Sequence, residues 1–245
     1  MTDKTTKLEI IAFNLASCEI AQAAGASRIE LCDNPGEGGT TASYGFIEAA
    51  RKALSIELYA MVRPRGGDFL YSDGEFEIIK SDVARCKELG CDGVVIGLLQ
   101  RDGSIDIERT RELVELAYPM GVTFHRAFDR VCDPQVALEQ LIAAGCERIL
   151  TSGQRPSCTE GAPLIASLCA QAAGRIVIMP GSGLNSTNIA ALAKATGARE
   201  FHASARRLAL SAMDFVVSEM AEDLQTVIVD GEEVRKMADL LAGQP

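Results

Sequence analysis

Short apolar runs recur along the whole chain, separated by longer stretches in which apolar residues fall three and four apart. The strand-like runs cover residues 7–12, 28–32, 57–63, 93–97, 122–125, 148–152, 175–180 and 200–204. Helical spacing marks residues 18–24, 45–54, 75–89, 106–118, 134–144 and 186–195 between them. Eight strand-then-helix units in 245 residues predict an α/β fold of the TIM-barrel, (β/α)8, type. A weak repeat supports the count: Gly25-Ala26-Ser27-Arg28-Ile29, Gly90-Cys91-Asp92-Gly93-Val94 and Gly145-Cys146-Glu147-Arg148-Ile149 share one pattern, and Gly197-Ala198-Arg199-Glu200-Phe201 is a fourth version. Each glycine is placed to end a helix in the left-handed region before a tight turn into a strand. No linker or low-complexity segment divides the chain, so residues 1–245 read as one domain. Residues 213–241 read as mostly helical, a C-terminal extension that closes the barrel floor or serves a subunit interface.

Alternation along each strand sorts side chains into a barrel interior and a helix-facing exterior. By parity Ile29 and Leu31 point outward while Arg28, Glu30 and Cys32 point inward; Phe201 and Ala203 point outward while Glu200, His202 and Ser204 point inward. The expected interior collects Glu9, Glu30, Cys32, Met61, Arg63, His125, Thr151, His202 and Ser204. A purely structural interior would hold mostly branched apolar residues. Two explanations compete: carboxylates that merely neutralise arginines in a polar core, or a site at the strand C-termini, the catalytic face of this fold.

The formal net charge of −10 and a sequence pI near 4.8 argue against nucleic acid and against acidic membranes as partners. The polar start, Met1 to Lys7, lacks the apolar stretch of a signal peptide, and no apolar run approaches the roughly 20 residues that span a bilayer. A soluble, cytoplasmic protein is expected. The eight cysteines are scattered without a CxxC pair, which suits buried thiols better than disulfides or structural zinc.

Chemistry concentrates at strand ends. His125-Arg126-Ala127-Phe128-Asp129 crowds three ionisable groups into five residues, and Arg63-Pro64-Arg65-Gly66-Gly67-Asp68 follows another strand. Together they describe an anion-friendly pocket. Gly181-Ser182-Gly183 after the seventh strand, with His202, Ser204 and Arg206 after the eighth, suggests a second anion-binding edge, which Thr151-Ser152-Gly153 would extend.

These segments, read in order, resemble the CutC family, known as copper homeostasis proteins. The stretches that carry the likeness are Gly25-Ala26-Ser27-Arg28-Ile29-Glu30-Leu31-Cys32, Gly38-Gly39-Thr40, the Arg63-to-Tyr71 block, Thr123-Phe124-His125-Arg126-Ala127-Phe128-Asp129, Ile149-Leu150-Thr151-Ser152-Gly153 and His202-Ala203-Ser204-Ala205-Arg206. The resemblance implies a TIM barrel, a cytoplasmic location, a homo-oligomer and a link to copper.

Three functions follow. Copper handling would use Cys32 and Met61, which share inward parity on neighbouring strands, as soft ligands for Cu(I). An enzyme acting on a small phosphorylated or carboxylated molecule would hold its anion with Arg63, Arg65, Arg126 and the Gly181–Gly183 loop, with Asp68, Ser152, Gly153, His202, Ser204 and Arg206 as further ligand-binding candidates. His125 with Glu30 or Asp129 would then move protons, with Glu9 beside them. A non-catalytic sensor would keep the pocket for a regulatory ligand. The copper reading is the named expectation, and the enzyme is its alternative.

Overall fold

The computed structural model describes residues 6–221 and 223–243. Most of the Met1-to-Lys7 stretch therefore lies outside the described residues. Eight parallel strands form the barrel: β1 (Lys7–Ala12), β2 (Arg28–Leu31), β3 (Glu57–Met61), β4 (Gly93–Ile96), β5 (Gly121–Phe124), β6 (Arg148–Thr151), β7 (Val177–Pro180) and β8 (Glu200–Ala203). They pair in the order β7-β6-β5-β4-β3-β2-β1-β8, and β7 and β8 pack side by side to bring the sheet round on itself.

Helices α1 (Leu15–Ala23), α2 (Tyr44–Ala53), α3 (Asp73–Glu88), α4 (Ile107–Ala117), α5 (Pro134–Ala144), α6 (Ala162–Ala172) and α7 (Ile189–Thr196) follow the first seven strands. Their starts are written in the sequence. Asn14, Ser43, Asp106 and Asp133 cap their helices with side-chain oxygens, and Ser72 with Glu75 forms a reciprocal capping box. The repeated glycines 25, 90, 145 and 197 all adopt positive φ, and they precede the even-numbered strands β2, β4, β6 and β8. The main apolar core lies between sheet and helices and contains Ile29, Leu58, Phe124, Ile149 and Phe201.

The C-terminal segment differs from the helical expectation for residues 213–241. Arg206–Ala209 (β9) and Thr226–Val229 (β10) form an antiparallel pair. Among the described residues between them there is no helix, and Leu210, Phe215 and Met220 are exposed. Among the described residues of this segment only Gly231–Ala242 (α8) is helical, capped by Asp230 and packed beside α7, α1 and β1 as the eighth helix of the ring. The β-branched run Thr226-Val227-Ile228-Val229 explains the strand, since these residues lose side-chain freedom in a helix.

Candidate functional site at the C-terminal mouth of the barrel

The barrel interior is divided into layers. At the N-terminal end Arg28 and Arg148 lie against the ring of Tyr59, 4.9 and 5.2 Å from its centroid. Arg28 donates to Glu9 at 2.5 Å, Glu57 at 3.0 Å and Glu200 at 2.6 Å; Arg148 donates to Glu200 at 2.6 Å and Thr123 at 3.0 Å. This network is a plug: both guanidinium groups are buried and met by carboxylates. Arg148 holds an inward position that parity reasoning left unassigned. With Arg148 and Leu150 facing inward, Thr151 falls on the other side of β6 with Ile149, which corrects its place in the expected interior. Its hydroxyl donates to Asp129 at 2.5 Å.

Above the plug, Glu9, His202 and Glu30 form a buried row. His202 Nδ1 lies 2.7 Å from Glu9 Oε1, and its Nε2 lies 3.8 Å from Glu30 Oε2. Burial works to raise Glu9, but the Arg28 charge and the His202 bond outweigh it and hold the carboxylate well below its usual range. Burial also works against a charged His202, and the Glu30 charge and the Glu9 bond overcome it and raise that pKa. Glu30 behaves differently. Burial pushes it up to about 7 against the pull of His202. The Cys32 thiol donates to Glu30 Oε2 at 3.6 Å, whereas Oε1 has no hydrogen-bond partner.

One donor atom each from Glu9, Glu30 and His202 lie within 4.8 Å of one another, a spacing that could hold a metal ion. Yet both Glu9 oxygens are engaged, by Arg28 and by His202, so the row is an ion-pair network. Cys32 and Met61 do come together, in a small interior cluster with Ile11, Tyr59 and Val95. Gly39, at φ +106°, lets the 33–41 loop lie against both sulfur-bearing side chains; a β-carbon there would sit 3.0 Å from Cys32 Sγ. Cys32 is fully buried, and burial with the adjacent Glu30 raises its thiol well above the usual value. Cys32 and Met61 are soft donors of the kind Cu(I) prefers, but the buried thiol must give up its proton to bind it.

The mouth carries the remaining candidates. His125 is buried, and a methyl group at Gly97 would overlap its imidazole, so glycine at the end of β4 makes room for the ring. Its Nδ1 accepts the Ala127 N–H at 3.1 Å, while Nε2 has no partner. Burial and the Arg63 charge push His125 down to about 3. Arg63 is buried and donates to the carbonyls of Glu37, Gly39 and Gly67, yet its Nε is also unpaired. Among the described residues four buried side-chain polar atoms lack a partner, and three of them belong to Glu30, Arg63 and His125. These three residues line one cavity of about 90 Å³, with Met61, Phe69 and His202 in its walls. Gly38, Arg63, Phe69 and Arg126 also border a wider cavity of about 710 Å³, which Arg101, Asp129 and Arg130 complete.

Other expected site residues have structural employment. Asp129 accepts from Thr151, Ser152, Gln154 and Arg126, so its carboxylate clamps the loop after β6 rather than standing free as a base. Ser152 donates to Asp129 and accepts from Arg126 at 2.9 Å, and Gly153 packs against Gly161. Arg65 pairs with Glu75 and Asp68 and ties the 65–70 loop together, while the exposed Asp68 lines the wider cavity. At the second anion-binding edge Gly181 and His202 come together, and the other residues have partners or positions of their own. Ser182 donates to the Pro156 carbonyl, the Gly183 carbonyl takes Asn188, Gly181 packs on Leu150 and His202, and Arg206 sits exposed on β9. None of Gly181, Ser182, Gly183, Ser204 and Arg206 lines the two cavities. Arg101 was missed by sequence reading, because it lies in a turn after β4 with no strand parity or motif to mark it.

A TIM barrel with a polar site at its C-terminal mouth is the class these observations define. The CutC family profile matches residues 6–207, and the chain belongs to that family. A CutC family protein of Chromobacterium violaceum is 59% identical over 208 residues, covering 85% of this chain and 84% of the relative. One from Parabacteroides distasonis is 48% identical over 236 residues, covering 93% and 97%. The crystal structure of CutC from Streptococcus agalactiae matches with a TM-score of 0.78 and 36% identity, covering 82% of this chain and 99% of that one. Phosphoribosylanthranilate isomerase from Thermotoga maritima, at 13% identity and a TM-score of 0.60, covers 98% of this chain and 100% of its own, and shares the fold.

Proposed function

We propose that this chain is an enzyme that moves a proton on a small phosphorylated or carboxylated metabolite held in the inner cavity. The observation that carries this reading is that three unpaired buried polar atoms, Glu30 Oε1, His125 Nε2 and Arg63 Nε, belong to residues lining one small space. Each buried polar atom without a partner costs about 1–3 kcal/mol. A fold that concentrates three of them at its catalytic face recovers that cost when a ligand supplies the partners. Arg63 supplies the charge for an anion, and Glu30, raised to about 7, supplies a proton acceptor matched to neutral pH. Calorimetric titration with a panel of small phosphorylated and carboxylated metabolites tests the reading. Binding by wild type that weakens at least tenfold in Arg63→Met, with the variant's circular dichroism unchanged, supports it; binding that ignores Arg63 contradicts it.

A copper role is the second reading, and the juxtaposition of Cys32 and Met61 favours it. The Streptococcus agalactiae relative is assigned, provisionally, to copper homeostasis. Titration of the reduced protein with Cu(I) against a competing chelator separates the two. The enzyme account expects weak binding that Cys32→Ser leaves unchanged; tight stoichiometric binding lost in that variant would establish copper as the ligand. Family kinship supports a cytoplasmic homo-oligomer as part of either reading.

A further inference from the structure

The two catalytic candidates differ in kind. His125 accepts the Ala127 N–H on Nδ1, so its single proton sits on Nε2, facing no protein acceptor. Held down to about 3, the ring is a neutral hydrogen-bond donor at physiological pH rather than an imidazolium acid. Glu30 offers the complement, a buried carboxyl with one oxygen free to accept. A neutral donor for an oxygen, opposite a carboxylate base, is the pair that draws a proton from carbon beside a carbonyl. The donor steadies the oxygen as charge develops on it, and the carboxylate takes the proton. Arg63, whose Nε has no hydrogen-bond partner, lines the same cavity. The inner cavity, about 90 Å³, has room for only a few heavy atoms, and it shares walls with the wider one. There Arg101 and Arg130 have no ion-pair partner among the described residues, so the mouth carries positive charge available to a ligand's far end.

We propose that the substrate is a short α-hydroxy aldehyde or ketone with a phosphate or carboxylate at its far end, and that the reaction is enolisation beside the carbonyl. This rests on the reading of the cavity as a proton-transfer site. Glu30 Oε1 takes the proton from the carbon next to the carbonyl. The C–H electron pair becomes a carbon–carbon π bond, and the carbonyl π pair moves onto oxygen, which accepts from His125 Nε2 and Arg63 Nε. The neighbouring hydroxyl then gives its proton, through the imidazole, to that oxygen. Glu30 returns its proton to the former carbonyl carbon. Atoms and electrons balance within the substrate, so the product is its isomer and no oxidant is needed.

The full chain is incubated in D₂O with triose, tetrose and pentose monophosphates and with hydroxy-keto carboxylates, and proton NMR follows the C–H signal beside the carbonyl and any isomer. At least one compound should exchange or isomerise. Glu30→Gln should slow that by about 100-fold or more while still binding the compound, and His125→Gln by about 10- to 100-fold. Compounds that bind and perturb the His125 imidazole signal yet neither exchange nor isomerise would overturn enolisation and leave the anion-binding reading intact. Failure of every compound to bind would overturn both.

Discussion

At the scale of single residues, the contrast between His125 and His202 shows how environment sets chemistry. Both are buried histidines. His202 lies between two carboxylates and is raised, whereas His125 faces the Arg63 charge in a desolvated pocket and is lowered to about 3. The sign for His125 is fixed: its folded pKa lies below the ordinary value of about 6.5, so its contribution to stability is present above that value and is lost as pH falls toward 3. Glu30, raised to about 7, acts in the opposite sense between its ordinary value and 7, and offsets His125 there. Below about pH 4.5 the offset ends. His125→Asn should therefore lose stability less steeply than wild type between pH 4.5 and 3, by about 1.4 kcal/mol per pH unit, read from urea midpoints. At the barrel floor, Arg28→Met should cost about 3–5 kcal/mol in the same assay, because it leaves Glu9 and Glu200 buried without their shared cation.

Parity within strands made much of this legible in the sequence. Glu9, Glu30, Cys32, Met61 and His202 all occupy the interior that alternation assigned them. Parity could not say which carboxylate is spent on a partner. Glu9 meets Arg28 from the neighbouring strand and Asp129 meets the loop after β6, and both are contacts between segments distant in sequence. Thr151 was misplaced for a similar reason, since its strand's phase is set by Arg148 at the far end.

Among the elements, strand centres and the glycine-led turns were readable because local chemistry dictates them. Strand ends were expected one or two residues too long at several places, where polar residues such as Arg63 and Ser152 leave the ladder to serve loops. Those loops make the site. The loop between β6 and α6 is held by Asp129 and by the close approach of Gly153 and Gly161, and a methyl group on Gly161 would overlap the Ser152 carbonyl oxygen. Gly161→Ala should lower stability by about 2 kcal/mol or more in thermal unfolding, whereas Gly45→Ala, with open space around its β-carbon, should be nearly neutral. The helical expectation for residues 213–241 holds over 231–241, where Val234, Met237 and Leu241 are buried, and fails before it, where Met213, Phe215, Val216, Val217 and Met220 are exposed. Exposed apolar side chains broke the usual link between periodicity and core.

For the whole molecule, those exposed residues bear on assembly. Leu210, Phe215 and Met220 stand on the surface between β9 and β10, more apolar exposure than a lone domain with a net charge of −10 needs. Sedimentation should show self-association of the wild type that a Leu210→Asp/Phe215→Asp double variant loses without unfolding. No described helix is long and apolar enough to cross a membrane. The barrel itself presents a plugged floor and a polar mouth, and the account depends on what that mouth does. Imidazole ¹⁵N NMR tests it most directly, because only two histidines contribute. A neutral, Nε2-protonated His125 from pH 5 to 8, whose Nε2 signal shifts on adding a small phosphorylated or carboxylated metabolite, is the expected result. A His125 that titrates near its ordinary value, or whose Nε2 signal ignores every such compound, would contradict the account.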